Sequence, residues 1–584
     1  MTSKSRSFLL PRVLSWLVVC SPAWVYLAHL PSFGELQGND YYGIVGRIMD
    51  GEVISDDPIR WLSLKSNEHR VTLPVLVYVL NMKLTHGNNL GLTVFALLLL
   101  TFVLVRLVTL LPADLRSVLW ARTALGFAMA MFCFTPVAAH SVAMGFSGTI
   151  WFFANALAVS AIAALTRRAG RQEVWALWPV LLLGILAAFT HSTYLILWPT
   201  LLAGALFLRI GRRGLIALAA GMTLVLSLFI LTFQPFTKHP TPNTSELEEL
   251  LRYVAVYLGS LFSPDLATAK VLGLAGCLAS AVVLTLLVVL SWTSRSARRD
   301  FAPWLMVQLY GLGNAALAAV SRSGFGESQA RASRYASLAA LFWIGLLASA
   351  AILAWRYRPA SRRGQVVLAV GSAALVASLG AAMQQRGSEV VDRFLIRGHR
   401  QRVAAMALSL GVRDDDILRR AVTPAPGQVW AVYDFMKASG HVPFDDPPRW
   451  RVGERIDPSL LHEHPHRQVP GELDRIVVLP DGYVRLGGWA FGREIEVAEI
   501  LILDDEGSIQ GEAFTGIRRP ELKRKVHPDA VTAGWEGYAR VDPARSTRLQ
   551  AYVRTVDDPG LHPLPTRREI AQQMRWEAPS SESF

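Results

Sequence analysis

The run LGLTVFALLLLTFVLVRLVTLL, residues 90–111, decides the fold class. A helix needs roughly 20 apolar residues to cross a hydrocarbon layer of about 30 Å, and this run has that length. Working outward, comparable runs lie at about 8–30, 118–138, 143–165, 174–190, 193–209, 214–233, 268–292, 303–320, 335–355 and 363–383. They predict a polytopic α-helical membrane domain of about 11 spans over residues 1–383. Only His191, Ser192 and Thr193 separate the spans at 174–190 and 193–209.

The charge distribution orients these spans. From residue 384 onward there are 28 basic and 30 acidic residues, against 30 and 15 before it, so the net charge of +13 belongs to the membrane half. There the bases cluster in every second loop: Lys4 and Arg6; Arg167, Arg168 and Arg171; Arg209, Arg212 and Arg213; Arg295, Arg298 and Arg299; then Arg356, Arg358, Arg362 and Arg363. Retention of Lys and Arg on the cytoplasmic side predicts a cytoplasmic N-terminus in a cytoplasmic membrane, with residues 384–584 outside. The excess is thus a topology signal, and no nucleic-acid partner is expected. Read instead as a secretory signal, the first segment would leave the loop after it without its first anchor. Cys20, Cys133 and Cys277 each lie inside an apolar run and read as small core residues, not as a disulfide or metal set.

The outer segments are unequal. The longest, 31–89, contains GNDYYGIVGRIMDGEVISDDPIRWLSLKSNEHRVTLPVLVYVLNMKLTHGNN, with Asp40, Asp56, Asp57, Glu68, His69 and Arg70. YYGIVGRIM and VTLPVLVYVLNMKL within it read as helices too short to span, lying at the interface. A second outer loop, 234–267, holds Lys238, His239 and the amphipathic LEELLRYVAVYLGSLF. A third, SRSGFGESQARASRY, places Arg322, Arg331 and Arg334 on the side where the charge bias disfavours arginine.

Residues 384–470 read as a helical segment, RFLIRGHRQRVAAMALSLGV and DDDILRRAV, and then a Pro-rich linker with HEHPHR at 462–467. Over 471–565, short β-type runs alternate with turn signals: RIVVLP-DG-YVRLGGWAF, VAEILILDDEG, SIQGEAFTG, GWEGYARVD and RLQAYVRTV. This spacing predicts a small antiparallel β-sandwich in an extracytoplasmic α+β region, followed by a tail at 566–584.

Several residues could carry chemistry. Asp40 could act as a base at the membrane surface, or it and Asn39 could cap the following helix; both can hold together. Glu68, His69 and Arg70 put an acid, an imidazole and a guanidinium side by side, a possible site edge or a solvated helix start. Arg322, Arg331 and Arg334 suit bidentate phosphate binding, with snorkelling as the alternative. His140 and His191 read as interfacial polar residues, and HEHPHR, His-rich enough to bind metal adventitiously, as a polar connector in view of Pro465 and its linker setting. Of Trp489, Phe491, Trp535 and Tyr538, at least two should form the β-domain core, leaving the others free to stack on a sugar. No spacing of zinc ligands is present; a divalent cation at Asp56, Asp57 and Glu68 is the remaining cofactor option.

This order of features resembles the GT-C membrane glycosyltransferases: a span, an outer loop with an early acid, an interfacial helix, a second acid before a Pro-containing apolar helix, and the next span. The resemblance implies a polyprenyl-phosphate-linked sugar donor and a cell-envelope glycan, lipid or protein acceptor. Its early acid falls on Asp40 as the catalytic carboxylate, and its second acid falls more loosely on Glu68. The Arg-Tyr pair that opens a late span is similar to Arg334 and Tyr335, implying contact with the carrier phosphate. LGGWAF, IQGEAFTGIRRPEL and AGWEGY look like small β-sandwich modules attached to glycosyltransferases. The rival readings are a transferase of the O-antigen ligase or polymerase type, and a non-catalytic transporter or scaffold that presents a glycan-binding module.

Overall fold

A computed structural model describes residues 9–53, 64–66, 69–169, 174–233, 246–357, 361–445, 451–541 and 548–571. The chain forms two compact units. One comprises Met1–Pro31, Arg47–Thr85 and Asn89–Asp392; the other comprises Ser32–Gly46, His86–Asn88 and Arg393–Phe584.

The first unit is helical. Among its described residues, 7 helices are long and apolar enough to cross a membrane, or 8 if the bent pair Leu10–Cys20 and Ala23–Phe33, kinked by 65°, is one span. The runs at 174–190 and 193–209 form shorter helices, Trp178–Ala187 and Tyr194–Phe207, separated by a polar turn. The last expected span, 363–383, lies in a continuous 49-residue helix, Arg362–Leu410. Burial sorts the helices by role. Over an apolar stretch of 18 residues, Gly145–Arg168 is 89% buried, whereas Arg212–Leu231 and Leu266–Ser291 are only 17% and 22% buried and turn Ile216, Leu224, Leu274 and Leu278 outward. An apolar face of that extent has no place in water, which marks this unit as a multi-pass membrane domain.

Several polar side chains inside the unit are uncharged and paired, which a dry interior favours. Asn89 holds the break between Ala139–Ala143 and Gly145–Arg168, donating to Ala143 O at 2.8 Å and accepting from Gly145 N at 2.9 Å. Asn155 meets Ser337 at 3.1 Å, and Gln308 donates to Ser280 at 2.8 Å. Helices Leu247–Gly259 and Leu266–Ser291 pack backbone to backbone: a Cβ on Gly259 would fall 1.8 Å from Ala269 O, and one on Gly273 would fall 1.8 Å from Ala255 O. Small residues at such spacing let membrane helices approach this closely.

Two shorter runs fold as helices, as their patterns predict. YYGIVGRIM is the helix Tyr41–Met49, and VTLPVLVYVLNMKL becomes Thr72–Thr85. Lys65–Ser66 (β1) pairs antiparallel with His69–Arg70 (β2).

The second unit ends in a β-domain with six strands at the predicted places, Gly471–Leu479 (β3), Tyr483–Ala490 (β4), Val497–Leu503 (β5), Ile509–Ile517 (β6), Gly534–Arg540 (β7) and Gln550–Thr555 (β8), and a short seventh that no predicted run covers, His562–Pro563 (β9). They do not form the two stacked sheets of a sandwich. All 7 join one antiparallel sheet in the order β3-β4-β7-β6-β5-β8-β9. The sheet curls until its ends meet, with Leu473 N donating to Pro565 O at 2.9 Å and Arg567 N donating to Leu473 O at 3.1 Å. Side chains from successive strands, among them Leu473, Leu486, Ile500, Trp535 and Val553, fill the inside of this partly closed barrel. The β3–β4 turn uses Asp481 and Gly482, both at positive φ, as the Asp-Gly dipeptide predicts.

A buried polar knot joins the sheet to the helical part of the same unit. Arg485 on β4 donates to Asp414 at 2.8 Å and to Asp416 at 2.9 Å, and the Tyr538 hydroxyl donates to the same Asp414 oxygen at 2.9 Å. The other Asp414 oxygen caps helix Asp415–Ala421 through Ile417 N. Removing one partner of a buried pair strands a charge. Arg485→Ala should therefore cost roughly 3–5 kcal/mol of stability in this unit. Arg475→Ala loses a half-exposed pair with Glu536 at 3.6 Å and should cost under about 1 kcal/mol. Chemical denaturation followed by near-UV circular dichroism measures both, and similar costs would contradict the assignment.

Candidate functional site

Within the first unit, several helix ends and turns bring together the residues of interest. Thr190–Thr193 is the turn between Trp178–Ala187 and Tyr194–Phe207, and Phe189 O just before it accepts from Leu73 N at 3.0 Å. That bond sets the start of helix Thr72–Thr85, and the adjoining β2, beside the turn. His69 and His191 lie with ring centroids 4.0 Å apart, and His69 Nδ1 is 2.7 Å from Ser192 Oγ. His191 also lies 4.0 Å from the Trp151 ring on the central helix. Trp151 meets Tyr335 edge-on at 5.9 Å, and Tyr335 stacks on Tyr257 at 5.0 Å. Five segments thus contribute to one row of rings that runs from His69 to Tyr257.

The row sits in a positive field. His191 is 4% exposed, and its Nδ1 accepts from Thr193 N at 3.3 Å, which puts its proton on Nε2. Burial above all, with His69, Arg322 and Arg334 adding to it, pushes its pKa well below the usual histidine range. Arg322 ends helix Arg295–Arg322, and Arg334 lies in the short turn Ser333–Tyr335, its guanidinium 5.0 Å from the Tyr335 ring centroid. Among the described residues no carboxylate forms an ion pair with Arg334. A neutral imidazole donor flanked by two guanidiniums and backed by aromatic walls suits an anion carrying an apolar or ring-shaped group.

The other expected residues separate by role. Arg331 donates to Pro264 O and so fastens its own turn to the loop after Leu247–Gly259. Arg70 is 5% exposed and donates to Leu228 O at 3.2 Å; burial lowers its pKa, and the Tyr194 hydroxyl counters this. Asp40 is exposed, directly before helix Tyr41–Met49, with its carbonyl accepting from Ile44 N at 3.3 Å. It belongs to the second unit, where Asn39 N donates to Val422 O at 2.9 Å and Gln401 donates to Leu36 O at 3.1 Å, pinning its loop. Glu68, Asp56, Asp57, Lys238 and His239 lie outside the described residues. His140 is exposed. In the β-domain Trp535 and Tyr538 are core, while Phe491 stacks on His527 at 5.4 Å.

Sequence reading did not find Trp151, Ser192 or Tyr257 and set His191 aside. The available signal was the polar triplet His191-Ser192-Thr193 between two apolar runs, a place where polar side chains can stay only with partners. In comparisons with known proteins, no family model, no curated protein and no solved structure matches this chain.

Because the folded state holds His191 neutral, the unfolded chain binds an extra proton below about pH 6.5, and stability falls with pH there. The melting temperature should drop more for the native chain than for His191→Gln between about pH 7 and pH 5.5. Parallel pH profiles would remove the buried, neutral assignment.

Proposed function

We propose that this chain is a membrane glycosyltransferase that moves a sugar from a polyprenyl-phosphate donor to a cell-envelope glycan, lipid or protein acceptor. The observation that carries the reading is Arg334 at the end of a membrane helix, its guanidinium 5.0 Å from the ring of Tyr335 in the row with Trp151 and His191, where the charge of Arg322 is also felt. A phosphate at a lipid surface needs guanidinium donors, and the sugar beside it needs aromatic walls. The reading places the reaction on the outer face of a cytoplasmic membrane, with the N-terminus inside and the β-domain outside, on the strength of the Lys and Arg bias.

The step is a displacement at the anomeric carbon. An acceptor hydroxyl attacks, the bond from that carbon to the phosphate oxygen breaks, and polyprenyl phosphate leaves with the electron pair. The hydroxyl proton passes to a carboxylate, which the sequence pattern assigns to Asp40. Arg334 and Arg322 stabilise the charge that grows on the departing phosphate, the term that dominates when the leaving group is an anion. The neutral His191 keeps its Nε2 proton available as a further donor.

With the full chain in lipid nanodiscs and a panel of polyprenyl-phosphate sugars, release of polyprenyl phosphate reports transfer. Arg334→Ala should lower the rate about 10²–10³-fold, with Arg334→Lys in between, since an ammonium keeps the charge and loses the fork. Asp40→Asn should lower it about 10²–10⁴-fold. Unchanged transfer by folded Arg334→Ala would overturn the phosphate assignment, and the same result for Asp40→Asn would overturn the base.

A further inference from the structure

The segment HEHPHR, which reads in sequence as a polar connector, takes part in an ordered cluster at one edge of the β-domain. Leu461 and Leu561 form a parallel bridge, with His462 N donating to Leu561 O at 3.0 Å and Leu561 N to Leu460 O at 2.7 Å. This fixes His462 beside β9, where its ring stacks on His562 at 4.0 Å with the planes 2° apart. Asp558 completes the group, and one ligand atom from each of His462, Asp558 and His562 lies within 4.8 Å of the others.

Hydrogen bonding prepares the group for a cation. His562 Nδ1 lies 3.3 Å from the carbonyl oxygen of His464, so it carries the ring proton and donates. Its Nε2 then presents a lone pair to Asp558 Oδ2, 3.0 Å away. Two acceptors at that separation need a positive charge between them, either a proton or a metal ion. Asp558 is itself oriented: its Oδ1 accepts from Gly560 N at 2.8 Å, and its backbone N donates to Thr555 Oγ1 at 3.1 Å. Ligands held by such supporting bonds are the usual build of a metal site. Gly560 leaves the room this needs, because a Cβ there would fall 2.2 Å from His462 Nε2. The ring of His466 meets His562 edge-on at 4.6 Å, but its Nδ1 accepts from Gln468 N, so it walls the group and is not counted as a ligand. A hollow of about 410 Å³ opens over the cluster, lined by His464, His466 and Arg467 as well as the two ligating histidines.

We propose that His462, Asp558 and His562 form a binding site for a zinc-class divalent cation. Two imidazoles and one carboxylate are the donors such ions take, and metal–ligand distances of about 2.0–2.1 Å require donor separations near 3.4 Å, reached by small rotations of these side chains. Three protein ligands leave a fourth position facing the hollow. The ion ties the Pro-rich segment to the last strand of the sheet, a link between two parts of the chain about a hundred residues apart.

The test uses the full chain in detergent, without a polyhistidine tag, dialysed against Zn²⁺ and then metal-free buffer. The site predicts one equivalent of Zn²⁺ per chain by elemental analysis and a rise in melting temperature on adding Zn²⁺. His462→Ala and His562→Ala should each weaken binding by at least about tenfold, and Gly560→Ala should do the same by displacing His462. His527→Ala, a histidine of the same domain outside the cluster, should bind as the native chain does. If a variant loses its fold, ligand-field bands of Co²⁺ bound to the native chain report the nitrogen and oxygen donor set directly. No retained Zn²⁺ in folded native protein, or equal retention after both histidines are replaced, would overturn the site and leave a His562–Asp558 ion pair.

Discussion

Asp414 is the residue on which the second unit turns. One carboxylate oxygen starts a helix, and the other takes both the guanidinium of Arg485 and the hydroxyl of Tyr538, at 1% side-chain exposure. Burying a carboxylate costs several kcal/mol unless its lone pairs are filled, and here they are filled from three directions. The requirement ties together structures that separate patterns build: helical segment and curled sheet must both be in place before any member of the knot is satisfied. That dependence gives the unit one arrangement instead of several similar ones.

The first unit is under the complementary constraint. With an apolar exterior there is no hydrophobic gain in pushing helices together, so close backbone approach and paired amides do that work. Asn89 shows the economy of it: one side chain serves both a carbonyl and an amide at a helix break that would otherwise expose them to an apolar interior. The row from His69 to Tyr257 lies where such breaks and helix ends gather, a place in a membrane domain where polar residues can be held by partners.

Much of this was legible in the residues. Period and length located the long apolar helices and six strands of the sheet, though fewer helices span than the 11 expected, and Asp-Gly located the β3–β4 turn, because these depend on neighbours in sequence. The number of sheets did not follow, since alternation along a strand says which side faces inward and not whether the inward faces belong to one curled sheet or two. The same limit applies to the sites. Arg334 and Tyr335 stood out as charge at the start of a span, but His191 was dismissed because its partners, His69 and Trp151, are far from it in sequence. HEHPHR looked like a linker because the strand that organises it, His562–Pro563, is only 2 residues long.

The glycine contact between Leu247–Gly259 and Leu266–Ser291 has a mechanical meaning. Helices that touch along their backbones move as one piece, so Tyr253 and Tyr257 travel with a span that is mostly lipid-facing. A bilayer of different thickness changes the tilt of such a span. Through two small residues, the stacking partner of Tyr335 is thus mechanically linked to the tilt of that span.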